Sequence, residues 1–470
     1  MQTRTESDPL GALEVPESAL YGVQTQRAVE NFPISGLPPH HAFVWATVLI
    51  KKAAAVAHKQ TGRLDGDLAD VIAQAADEVL DGQHADQFVV DVFQAGAGTS
   101  HNMNANELLA NRANELLGRP RGSYDPIHPN DHVNMAQSTN DLIPTAIALA
   151  ALKLLPDLHS SLDILAESLQ AKATAWDGIV KSGRTHLQDA TPVRLGQEFG
   201  AYAEAIRRNA VAIREAADPS LELSLGGTAV GSGLNAEPAY QSLVVEVIAD
   251  LTGFEVRQST DYFYAMQSMA RFAQLSGALR TLALDLNRIA NDFRLLGSGP
   301  RTGISELRMP PVQPGSSIMP GKINPVMAEC LNMICFQVQG NDLAIASAVT
   351  AGQLELNVMM PLIAHNLCQS IEILGTGALA FARKGVDGLE TDDEMLRYWL
   401  ERNTMLATAL APKIGYAAAA EIAKQAVATG ETIPVVAARM TDLPADELAE
   451  ALDPAPMTEP GVRAGGGGGG

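Results

Sequence analysis

The chain has 470 residues, 46% of them hydrophobic, and a formal net charge of −21 from 33 Lys and Arg against 54 Asp and Glu. That length predicts two or three domains with sizeable cores. The acidic balance argues against nucleic acid and anionic membrane as partners, which need clustered positive charge, yet leaves room for a locally basic pocket that takes a small anion. Cys330, Cys335 and Cys368 form no even set and have no metal-ligand spacing. They predict reduced thiols and a cytoplasmic location. The polar start, MQTRTESDPL, has no apolar segment of a signal peptide, and no run of 18 apolar residues predicts a membrane span.

Aromatic residues make up only 5% of the chain, and Ala and Leu dominate long stretches, so helices are expected over sheet. The first 140 residues predict shorter helices over 42–60, 66–81 and 103–117 with turn-rich connections. A long helix follows over 142–176, with Leu158, Leu162, Leu165 and Leu169 on one face and Pro156 at a kink. The next covers 195–217. Over 262–296, Phe272, Leu275, Leu279, Leu282, Leu286, Ile289 and Phe293 step by three and four, a coiled-coil-like seam. Two more cover 326–348 and 354–382, the last containing Pro361. Such stripes need partners, so five long helices predict a helical bundle. A small helical region over 394–452 is interrupted at 412–415 and 430–434. The expected division is 1–140, 141–393 and 394–463, with a flexible glycine tail over 464–470.

Four polar stretches interrupt this pattern: Gly96 to Asn106 (GAGTSHNMNAN), His128 to Asp141 (HPNDHVNMAQSTND), Gly183 to Ala190 (GRTHLQDA) and Gly315 to Pro325 (GSSIMPGKINP). The first three place hydroxyls, amides and a histidine where helices are expected to begin. Ser, Thr and Asn cap helices there, and the free N–H groups and positive dipole also suit a carboxylate. Any one of them reads as simple capping; together they predict a site for a small carboxylate. The fourth sets two serines and a lysine in a Gly/Pro frame and predicts a loop able to close on a ligand.

This fourth stretch resembles the signature loop GSSxMPxKxNP of the fumarase/aspartase superfamily, with every specified position matched. The resemblance runs from Asp8-Pro-Leu-Gly11 and Tyr21 to Thr25 (YGVQT), through Gly183 to His186 and Gly227 to Gly231, to Ile414-Gly-Tyr416. It implies a mainly α, three-domain fumarase/aspartase-like fold with a central five-helix bundle. It also implies a homotetramer whose active sites each draw on three subunits, a small dicarboxylic substrate and no cofactor. By resemblance, Ser316 is the base that takes the proton. Lys322, Thr99, Ser100, Ser138, Thr139, Thr185 and His186 hold the substrate's carboxylates, Asn140 and Asn324 lie near its polar groups, and Glu329 partners His186.

Within the family, Gln137-Ser-Thr-Asn-Asp141, Gly98-Thr99-Ser100, Gly352 to Asn357 (GQLELN) and Glu30 to Ile34 (ENFPI) are similar to the aspartase branch. Fumarases tend to carry Ser, Gln and Asn-then-Phe at the corresponding places. The resemblance therefore implies elimination of ammonia from L-aspartate to give fumarate, with class II fumarate hydratase, or a catalytically silent structural homologue, as alternatives. His101 departs from the apolar or small residue usual there and is expected to face away from the site. Two patterns are set aside. Gly231 to Ala236 (GSGLNA) fits a loose dinucleotide pattern without a surrounding βαβ unit. His128 and His132 have an i, i+4 spacing but no third ligand, so no metal site is expected. The stretch holding His128, Asn130 and Asp131 lies near a secondary anion site in the family.

Overall fold

In the computed structural model, which describes residues 2–461, the protein is mainly helical with four two-stranded sheets. The expected glycine tail, 464–470, lies outside the described residues. The elements in chain order are β1 (Thr3–Asp8), β2 (Gly11–Pro16), α1 (Val23–Asn31), α2 (His41–Thr61), α3 (Gly66–Leu80), α4 (Thr99–Leu116), α5 (Thr139–Ala175), β3 (Val180–Thr185), β4 (Gln188–Arg194) and α6 (Leu195–Ala217). They continue with β5 (Glu222–Leu223), α7 (Pro238–Thr252), β6 (Arg257–Gln258), α8 (Tyr262–Gln267), α9 (Ala270–Leu296), β7 (Leu307–Arg308), α10 (Val326–Thr350) and α11 (Met360–Phe381). The last are β8 (Glu390–Thr391), α12 (Asp393–Arg402), α13 (Ala411–Ile414), α14 (Tyr416–Thr429), α15 (Ile433–Met440) and α16 (Ala445–Ala451).

The described residues form two compact units, one of residues 2–160, 209–283 and 334–376, the other of 161–208, 284–333 and 377–461. In the first, α2 packs on α3 and α7, and α3 on α4. Their core includes Val48, Ile72, Leu108, Leu109 and Ile127. Ser276 of α9 bonds Asp342 of α10, Asn341 bonds Gln369 and Ser370 of α11, and Gly375 of α11 lies against the Leu158 backbone of α5. These are the interhelical contacts of a bundle. In the second unit, Phe199 and Tyr202 of α6, Phe293 of α9 and Phe381 of α11 stack with Trp176 into one aromatic cluster. A separate core over 406–452 unites the short C-terminal helices.

Three expectations need correction. The predicted helix 262–296 breaks at Ser268 and Met269: Asp261 caps α8, and the Ser268 hydroxyl accepts from Ala270 N to start α9. The predicted helix 354–382 begins at Met360, because Gln353 pairs with Leu356 and the Asn357 side chain accepts from Met359 N. The stretch expected to lead into a helix at 183–190 is the β3–β4 hairpin. A fourth point concerns α5, which is 37 residues long and continuous through Pro144 and Pro156. It contains an 18-residue window of mean hydropathy 1.4, apolar and long enough to cross a membrane. Some 72% of that window is buried inside the protein, which is the pattern of a core helix.

Candidate active site

In the first unit the site is built around the N-terminus of α5. Asp141 in its first turn is fully buried and accepts three backbone N–H bonds, from Ser138 to Oδ1 and from Gly226 and Thr228 to Oδ2, each at 2.9 Å. Burial pushes Asp141 up to about 6, against these bonds and the nearby Lys51 charge, which favour the carboxylate. Lys51, also fully buried, donates to Asn134 Oδ1 and Gln137 Oε1 at 2.9 Å, and burial drives it well below the ordinary lysine range. Asn102 Nδ2 reaches Asn134 Oδ1 and the Thr139 hydroxyl at 3.2 Å. The α4 and α5 N-termini are therefore tied together by side-chain amides. Asn140 Nδ2 donates to Ala229 O, and the Ser138 hydroxyl accepts from Asn140 N.

Thr99 opens α4 and is exposed, while Ser100 is buried. Gly98 before them has φ +89, the left-handed backbone that favours glycine, and a Cβ there would press on the Ile143 side chain at 3.1 Å. A cavity beside Ser138 is lined by Arg63, Asn130, Asn134, Gln137, Thr228 and Asn235. His101 does not reach it. The ring is fully buried, stacks on Phe43 with centroids 4.4 Å apart and shares a 3.0 Å bond with Thr47. Burial lowers it to about 3 and keeps it neutral. His128 and His132 are held in a short π-helical turn, where His132 Nδ1 accepts from His128 N and His128 Nδ1 from Asn130 and Asp131 N.

In the second unit two segments carry the remaining residues. Thr185 and His186 stand exposed at the tip of the β3–β4 hairpin. His186 and Leu187 have φ of 58 and 59. Two left-handed residues in a row make a type I′ turn, where Asn-Gly is the comfortable choice; holding His-Leu there costs roughly 1–2 kcal/mol each. The hairpin is anchored beneath by buried ions. Lys181 contacts Glu198 at 2.9 Å and Glu306 at 2.8 Å, and Glu306 takes Arg184 at 2.7 Å. Asn403 ties Ser182 and Ala190 with 2.7 Å bonds.

The segment 313–324 is exposed except at Gly315, Ser316 and Asn324, which are half-buried. The Ser316 hydroxyl accepts from Ile318 N at 3.2 Å and Met319 N at 3.0 Å. Gly315 N donates to Lys322 O, and Asn324 Nδ2 closes the base of the loop on Gly315 O at 2.7 Å. A Cβ on Gly315 would sit 2.3 Å from Lys322 O, so only glycine fits. Lys322 is exposed, and Glu329 lies in the first turn of α10. Among the described residues of one chain, no hydrogen bond joins His186 to Glu329.

The structure thus brings together Ser100, Ser138, Thr139 and Asn140 around one pair of helix ends, and Ser316, Lys322 and Asn324 on one loop. Lys51, Asp141, Asn134 and Glu306 were missed as site residues. Only Asp141 and Asn134 carried a signal, as members of the polar stretch 128–141.

The lyase family, described as "Lyase", matches residues 11–340, and the family "Fumarase C C-terminus" matches 406–459. An aspartate ammonia-lyase of a Bacillus species is 46% identical over 459 residues, 98% of each chain. A class II fumarate hydratase of Halobacterium salinarum is 50% identical over 463 residues, again 98% of each. Among solved structures, the fumarate lyase:delta crystallin from Brucella melitensis bound to cobalt is 47% identical with a TM-score of 0.94, covering 98% of this chain and 100% of that one. The recombinant class II fumarase from Schistosoma mansoni, 36% identical, also superposes at 0.94 and covers 97% of this chain and 99% of that one.

Proposed function

We propose that this chain, which belongs to the fumarase/aspartase superfamily of lyases, eliminates ammonia from L-aspartate to give fumarate, with Ser316 as the base. The observation that carries the elimination chemistry is the pair of N–H groups, of Ile318 and Met319, aimed at Ser316 Oγ. A serine hydroxyl is a poor base, and two fixed donors favour its oxyanion. The Ser316 oxyanion takes the proton from the carbon beside one carboxylate, and that carboxylate gathers the charge as an aci-carboxylate. Donors fixed before the reaction stabilise this state more than the substrate. Thr99, Ser100, Ser138, Thr139, Thr185, His186 and Lys322 are proposed to hold the carboxylates, Asn140 and Asn324 the polar groups, with Glu329 supporting His186. The C–N bond then breaks with its electron pair on nitrogen, and a protonated amine departs as neutral ammonia without a dedicated acid.

The choice of ammonia rests on Gly98-Thr99-Ser100, Thr139 and Gln353-Leu354-Glu355. A second reading, hydration of fumarate to malate, is favoured by the 50% identity to the Halobacterium salinarum fumarate hydratase. Fumarate absorbance decides: formation from L-aspartate and not L-malate is expected, and turnover of malate alone would overturn the ammonia reading. The proposed assembly is a cytoplasmic homotetramer with sites shared by three subunits, each chain divided at about 140 and 393. Met333, Phe336 and Leu343 on α10, 64%, 58% and 70% exposed, support a covered helix face.

A further inference from the structure

Apart from these loops, one cluster of ligating side chains stands out in the first unit. His40 and His41 lie where α2 begins, and Glu372 lies in α11. Glu372 divides its oxygens between them, Oε1 at 2.7 Å from His41 Nε2 and Oε2 at 3.3 Å from His40 Nε2. The two rings are tilted by 32° with centroids 4.4 Å apart. We propose that His40, His41 and Glu372 form a binding site for a divalent transition-metal ion, of the class zinc represents, that clips the start of α2 to α11.

The geometry is close to a formed site. Bonds of about 2.0–2.1 Å to a tetrahedral zinc set neighbouring ligand atoms roughly 3.3 Å apart, and the three ligating atoms here lie within 4.8 Å of one another. Two imidazoles and one carboxylate suit zinc and its neighbours, whereas calcium and magnesium require oxygen. The fourth position is open to water, because the His41 side chain is 66% exposed and supplies an entry path. The His40 side chain, 10% exposed, is the fixed ligand. His365, seven residues before Glu372 and so two turns away on the same face of α11, lines one cavity with His40. His84 shows the contrast: its carboxylate partner, Glu78, is shared with Arg112, a competing cation and no ligand.

Coordination has a cost within the cluster. His40 Nδ1 now accepts a 3.2 Å bond from Ala42 N, which puts the proton on Nε2. Binding through Nε2 transfers that proton to Nδ1 and gives up the bond, which opposes coordination. Spacing in sequence passes over this site because the third ligand is 331 residues from His41.

The test uses the full chain without a histidine tag, stripped with chelator and titrated with Zn2+ by calorimetry at pH 7.5. About one zinc per chain is expected, with His41→Ala and Glu372→Gln each weakening binding about tenfold or more and His84→Ala leaving it unchanged. Zinc should raise Tm in the wild type and in His84→Ala but not in His41→Ala, and leave turnover unaltered. Equal zinc binding by wild type and His41→Ala, whose exposed side chain is dispensable for folding, would overturn the proposal. So would a wild type that takes up no stoichiometric zinc.

Discussion

The N-terminus of α5 and the loop around Ser316 solve opposite problems with the same group, a backbone N–H. At α5 three N–H groups converge on a fully buried carboxylate, Asp141, and Lys51, Asn134 and Gln137 fill the space behind it. Around Ser316 two N–H groups converge on a half-buried hydroxyl in an exposed loop, with Ile318 83% exposed beside it. Buried donors are consumed in fixing position. Exposed donors remain available to stabilise a charge that appears only during reaction. That difference fits a preformed frame at α5 and a separate loop that carries the proposed base, Ser316.

The largest expected effect separates chemistry from frame. Ser316→Ala should lower kcat about a thousandfold or more, roughly 4 kcal/mol in barrier, with Tm unchanged. Retention of a tenth of kcat would remove Ser316 as the base, and a fall in Tm would make the loop part of the frame. Next, Glu306→Ala leaves Arg184 without its carboxylate and Lys181, whose side chain is 1% exposed, with Glu198 alone, and should cost about 2–3 kcal/mol in chemical denaturation. An unaltered midpoint would mean that Glu198 and Asn403 suffice to hold the hairpin bearing His186.

A third test uses pH. The folded-state value of His101 is depressed to about 3, so its contribution to stability is complete above the unfolded value of 6.5 and is lost as pH falls below it. From pH 7.5 to 5 the wild type should lose about 2 kcal/mol more than His101→Asn in urea denaturation. Asp141, raised to about 6, acts in the opposite sense over this window, so the difference between the two proteins is the quantity to measure. Equal slopes would show that the α4 frame tolerates a charged ring. The smallest effect is on the loop's closure: Asn324→Ala removes the 2.7 Å bond to Gly315 O and should lower kcat/KM about tenfold, close to 1.4 kcal/mol. An unchanged value would mean that the backbone bond from Gly315 N to Lys322 O suffices to close the loop.

The sequence made the long helices legible because apolar stepping by three and four is a local signal, as at Phe272 to Phe293 on α9, all of them fully buried. It did not show the break at Ser268 or the late start at Met360, since both depend on one side chain capping a backbone N–H that propensity ranks cannot see. The β3–β4 hairpin was hidden for a related reason. A His-Leu type I′ turn has none of the Asn-Gly chemistry that announces one, and what enforces it, Glu306 beneath Arg184 and Lys181, lies more than 100 residues on. Ser316, Lys322 and Asn324 were legible as a contiguous motif. Lys51 and Glu306 were not, because a lone charged residue inside a helix or before a strand reads as solvated surface until burial is known.

The three bonds to Asp141 also set a schedule. Two of its donors, Gly226 and Thr228, are 85 and 87 residues further along the chain. At synthesis rates of about 5–20 residues per second, Asp141 leaves the ribosome roughly 4–17 seconds before the groups that allow its burial. The start of α5 can therefore mature only after the segment containing Gly226 and Thr228 arrives, and a chain stalled between those points would display an ionised carboxylate where the finished enzyme keeps a fully buried one.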